Sequence, residues 1–210
     1  MKVVFPNPFG NAPVPPERVA ELQRRLLFSA EYAEFLATQN GFIFDDLRDS
    51  DCRDAYLAEP DLEPTGSPDI RVLYNADARD PYYDLEDNAA SIFSEIFLPI
   101  GAGYGGDEYV EVLAGENKGR IASLDHEMYA GCEQLDDLLE EFDLSHLTDS
   151  SRAKQADALA DSDLGLMWFH ADSFRDFLSD GIHCDARYAG FVVGTTEQAD
   201  DASVADADDG

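Results

Sequence analysis

Between Phe97 and Glu127 the chain reads FLPIGAGYGGDEYVEVLAGENKGRIASLDHE, and this stretch limits the fold more than any other. Ile96 to Ile100 is a short β-patterned run. Pro99 within it points to an edge or a bulge, because proline offers no N–H to a ladder. Glu108 to Leu113 alternates, with Val110 and Val112 on one side and Tyr109, Glu111 and Leu113 on the other, the pattern of a half-buried strand. Gly115 to Gly119 is a turn, and Arg120 to Leu124 returns as the partner strand. The predicted unit is a hairpin with a loop longer than two residues.

Two motifs in this stretch invite a chemical reading. Gly101, Gly103 and Gly106 match G-x-G-x-x-G, which cradles a pyrophosphate only when it leads from a strand into a helix N-terminus. Here DEYVEVL follows, a β-patterned run, and Asp107 and Glu108 would set negative charge beside a phosphate. No HRD or DFG follows downstream, so a kinase-type loop is excluded too. The glycines are expected to permit a tight strand-to-strand connection. Asp125-His126-Glu127 comes next. Adjacent residues point in different directions, so a metal site would need a partner such as His170 or Asp172. Neither this triplet nor His183-Cys184-Asp185 has recognised metal spacing, and both read as polar strand ends. There is no G-x-S-x-G elbow, and nothing pairs Cys132 or Cys184 with a histidine. No catalytic, cofactor-binding or metal-binding residue is assigned.

The rest of the chain is helix and strand around that centre. Residues 1–15 hold four prolines and read as an extended arm. Pro16 suits a first helical position, and Val19, Leu22, Leu26 and Leu27 follow at helical spacing. Arg18, Arg24 and Arg25 lie on the other positions as a solvated face or as ion-pair partners. Ser29 is an N-cap for a second helix with Tyr32, Phe35 and Leu36 buried, ended by Asn40-Gly41. Phe42 to Phe44 and Ile70 to Tyr74 read as strands. Residues 45–69 carry nine acids, with a short helix expected near 51–58 and a turn at 65–68. Residues 84–95 form a predicted helix turning Ile92 and Phe93 inward, preceded by a turn whose Tyr82 and Tyr83 fit core or sheet-edge packing and, as the alternative, a binding surface. Leu135, Leu138, Leu139 and Phe142 mark an amphipathic helix over 132–142, and a further helix is placed at 151–160. Leu164 to Phe169 reads as a buried strand, Ser173 or Asp172 caps a final helix with Phe174, Phe177 and Leu178 inward, and Tyr188 to Val193 adds a short strand. Residues 195–210 hold six acids and no base, as a disordered tail does.

Charge narrows the function. Acids number 45 against 14 bases, a net charge of −31. Phosphate affinity needs Lys/Arg clusters, so direct nucleic-acid or anionic-membrane binding is excluded. A basic protein partner fits, and so does a role for the acid in solubility or high salt. Three cysteines without CxxC spacing fit a reducing cytosol. The start, MKVVFPNPFG, is unlike a signal peptide, and no apolar run approaches the roughly 20 residues of a membrane span. A cytoplasmic protein is expected.

Three segments resemble the SUKH superfamily of fungal cell-wall-synthesis regulators and bacterial immunity proteins. They are FSAEYAEFLATQNGF, the central FLPIGAGYGGDEYVEVLAGENKGRIASLDHE and the closing HADSFRDFL, in the family's order across most of residues 16–180. Phe28-Ser29 stands where the family has Leu-Pro, and 128–163 is an additional helical insertion. The resemblance implies an α+β fold, a mixed, largely antiparallel sheet packed against several helices, as one domain over 16–194. It implies a non-catalytic immunity protein that neutralises a cognate toxin, basic nucleases being among such toxins. The other branch is a regulatory protein-interaction module without a toxin. Expected contacts are Asp107, Glu108, Tyr109, Asp125 and Glu127, with Asp45, Asp46 and Asp49 in a second acidic patch.

Overall fold

In the computed structural model the described residues are 12–43, 70–91, 93–103 and 105–178, together with the backbone of the two-residue strands β1 (Val3–Val4) and β8 (Gly194–Thr195), which pair with each other. Readings that concern residues 5–11, 44–69, 92, 179–193 and 196–210 lie outside them. Those are most of the arm, the helix near 51–58, the turn at 65–68, Asp45, Asp46 and Asp49, Ile92, His183-Cys184-Asp185, the 188–193 strand and the tail.

Helix α1 (Pro16–Leu26) begins at the proline whose fixed φ suits that position, and it buries Val19 and Leu22. Two of its arginines are ion-pair partners: Arg18 reaches Asp77 at 2.8 Å and also meets Glu86, to which Arg25 pairs as well, whereas Arg24 Nε donates to the Ala20 carbonyl. Helix α2 (Ala30–Thr38) is capped by Ser29, whose Oγ accepts from Tyr32 N–H at 3.2 Å. Tyr32, Phe35 and Leu36 are its buried stripe.

The strands β2 (Phe42–Ile43), β3 (Ile70–Leu73), β4 (Phe97–Gly103), β5 (Glu108–Val112), β6 (Ile121–Leu124) and β7 (Met167–Ala171) form one sheet in that order. Every pairing between them is antiparallel, so the α+β class with a largely antiparallel sheet holds. The sheet is a meander in which each strand lies beside its sequence neighbour. Pro99 sits at a bulge between β4 and β5, as its missing N–H requires. Gly101 follows it there, because a Cβ on residue 101 would overlap the Val72 carbonyl of β3.

Helices cover both faces of the sheet. On the first face, α1, α2 and the short α6 (Phe174–Asp176) pack Leu22, Tyr32, Phe35, Phe174 and Phe177 onto Leu98, Ile100, Tyr109 and Ile121. On the second, α4 (Leu135–Glu141) and α5 (Arg152–Leu159) pack Leu138, Leu139, Ala156 and Leu159 onto Phe97, Val110, Val112 and Leu124. Within residues 128–163 these two helices therefore supply a second layer of the core.

Three expectations are corrected. Strand 108–113 is buried on both faces, not one. Residues 84–95 hold a single helical turn, α3 (Leu85–Asn88), capped by Asp84 Oδ1, and then turns. Phe93 is nonetheless fully buried, under the second layer. Finally, β7 is an edge strand: of its residues Met167 is buried, whereas Trp168 is 48% exposed.

Candidate functional site

The β5–β6 hairpin pairs Glu108 with Leu124 and Glu111 with Ile121. The same register carried one step outward sets Asp107 against Asp125. Two carboxylates facing each other across a ladder repel. His126 relieves this: its backbone N–H donates to Asp107 Oδ1 at 3.2 Å, and its Nδ1 lies 2.9 Å from the same oxygen. The hydrogen bond to Asp107 raises the imidazole above the ordinary histidine value, which favours the charged form. Asp125 Oδ1 accepts from Glu127 N–H at 2.9 Å, and Glu127 is exposed. Gly106, at φ +101°, makes the turn that brings the His126 ring over the β4–β5 connection.

Of the expected contact residues, then, Asp107, Asp125 and Glu127 form one acidic rim. Tyr109 does not belong to it. It is 3% exposed and faces the first core layer, with its ring 5.4 Å from His170 and 5.8 Å from Phe177. Its strand position reverses the side of the sheet from Glu108, so adjacency in sequence does not carry it to the surface. Glu108 is largely withdrawn too. Its Oε2 is inaccessible and has no hydrogen-bond partner among the described residues, and burial pushes the carboxyl up to about 7. Burial raises the Tyr74 and Tyr129 hydroxyls, and the Glu108 charge adds to both shifts.

A second carboxylate is fully interior. Glu111, 2% exposed, accepts from Ser29 N–H at 2.7 Å through Oε1 and from the Ser29 hydroxyl at 3.1 Å through Oε2. Desolvation pushes it up to about 7 against the lowering effect of those bonds. It joins β5 to the cap of α2, so its role is in holding the first layer to the sheet.

Asp107, Asp125 and His126 each offer one ligand atom, all within 4.8 Å of one another. Two carboxylates and an imidazole suit a divalent cation, although Asp107 Oδ1 already takes both His126 bonds. His170 and Asp172 take no part. His170 Nε2 is 2.9 Å from Ser123 Oγ, and burial lowers its pKa. Asp172 pairs with Arg120, whose Nε is 3.0 Å away. The Cys132 thiol is raised by burial and by Glu141 and Asp137, opposite to what activates a nucleophile. After Gly103 the described residues turn into β5, so among the described residues no helix N-terminus follows the glycine run.

Sequence reasoning missed the Asp107–His126 pair. The signal was available in the hairpin, since a turn centred between Gly115 and Gly119 brings the residues flanking the two strands together. It also missed the exposed Trp168. Among the described residues no helix is long and apolar enough to cross a membrane. Comparison with known proteins found no matching family model, no similar curated protein and no similar solved structure.

Proposed function

We propose that the protein is a non-catalytic, cytoplasmic binding protein of the SUKH kind, an immunity protein that captures a basic toxin. The observation that carries this reading is the acidic rim of Asp107, Asp125 and Glu127 on a chain of net charge −31. The order of the three family-like segments supports it. A nuclease grips nucleic acid with a basic surface, and an acidic rim complements and occludes such a surface. Glu108 and Tyr109 are left out of the contact set because of their burial.

The test is co-expression with the toxin encoded beside the gene. Protected cells and a copurifying complex are expected, with affinity falling steeply as salt is added. Cell death without a complex would end that pairing. A complex indifferent to ionic strength would leave the charge as a solubility feature.

A further inference from the structure

The outermost strand of the sheet offers a surface of different character. Asp125 N–H donates to the Leu166 carbonyl at 3.0 Å, and this bond fixes the phase of the β6–β7 ladder. Antiparallel ladders alternate, so Leu166 and Trp168 turn their backbone groups toward β6, and Met167 and Phe169 turn theirs outward. Among the described residues no strand pairs with that outer rim. A register shift follows between Phe169 and Ala171, which confines the open rungs to 167–169.

Trp168, the only tryptophan, projects from this edge and is 48% exposed. On the opposite face the Arg120 guanidinium lies 4.1 Å from the Phe169 ring centre and is paired with Asp172. The carboxylates at the start of β7 are the exposed Asp161 and Asp163 before it, and the half-buried Asp125 and exposed Glu127 where β6 ends beside Leu166. A second copy of this chain would bring like charge to like. A basic extended segment would meet opposite charge.

We propose that the outer rim of β7 accepts an extended, basic segment of a partner protein as an added strand, with Trp168 as its apolar anchor. Main-chain bonds to Met167 and Phe169 supply the pairing, and the acids at the head of the strand take the lysines or arginines. This rests on the reading that the protein acts by binding a basic protein, and it names how part of that partner is held.

The test uses the full chain and a short synthetic peptide of alternating lysine and valine, compared with the same peptide N-methylated throughout. Methylation keeps charge and side chains and removes every N–H donor. The unmodified peptide is expected to shift Trp168 emission to the blue and to slow amide exchange at Met167 and Phe169 by at least about tenfold, and the methylated one to do neither. Equal effects from both peptides would reduce the contact to charge and overturn strand addition. So would unchanged exchange at those amides at about 1 mM peptide. A copurifying toxin that leaves β7 exchange as in the free protein overturns this edge but keeps the immunity reading. Peptide pairing on β7 with no toxin captured keeps the edge and ends that reading.

Discussion

Replacing Glu111 by glutamine isolates the cost of the interior carboxylate. Burial moves this group from an ordinary 4.5 up to about 7. At about 1.4 kcal/mol per pH unit, the displacement amounts to about 3 kcal/mol. The sign follows from which state holds the proton. Between the two values the folded chain keeps Glu111 protonated and the unfolded chain does not. Raising the pH therefore withdraws stability, and the full penalty is present above 7. The substituted glutamine keeps the geometry, with its carbonyl accepting from Ser29 N–H and its amide donating to Ser29 Oγ, which already accepts from Tyr32. It does not titrate. Glu108, also raised to about 7, and the repulsion of a −31 chain act on both proteins alike and cancel in the comparison. Urea unfolding followed by circular dichroism from about pH 5 to about pH 8 should show the wild type losing about 2 to 3 kcal/mol more than Glu111→Gln. Stability curves that run parallel across this range would refute the assignment of a displaced, interior Glu111.

Gly101→Ala would force a Cβ into the Val72 carbonyl, and a loss of about 3 kcal/mol or more is expected in the same unfolding assay. Leu138→Ala and Leu159→Ala each empty a fully buried position under the second layer. Each should cost about 2 to 5 kcal/mol with a single cooperative transition, whereas a helical insertion merely resting on the sheet would lose little. In NMR titrations His126 should titrate above 6.5 and His170 below it, and Asp107→Asn should lower His126 alone.

Much of the first layer was legible in the sequence because its signals are local. Pro16 and Ser29 mark helix starts through their own backbone chemistry, and the glycine turns delimit the central hairpin. What escaped depends on partners distant in sequence. Glu111 in the middle of β5 resembles a solvated position, and only Ser29, brought in by α2, makes it interior. Val110 and Val112 look like the one apolar face of a strand, yet Tyr109 and Leu113 are as deeply buried beneath α2 and α6. LGLMWF reads as a core strand on hydrophobicity alone. Its edge position follows from topology, which no periodicity in that segment encodes. The acidic rim was legible in part, since charge and strand ends suggest Asp107, Asp125 and Glu127. Alternation along β5 should already have separated Tyr109 from Glu108.

The meander order also has a kinetic side. Pairing β4 with β5 and β5 with β6 closes only short turns, at little entropic cost, so these strands are suited to form first. The β6–β7 pair must wait for the long excursion through residues 125–166, which carries α4 and α5. Loop-closure entropy thus favours joining the strand at the outer rim last, together with the second layer. An edge strand joined to the sheet last is also the one whose open rungs another chain's edge can reach during folding, and in this chain those rungs flank Trp168.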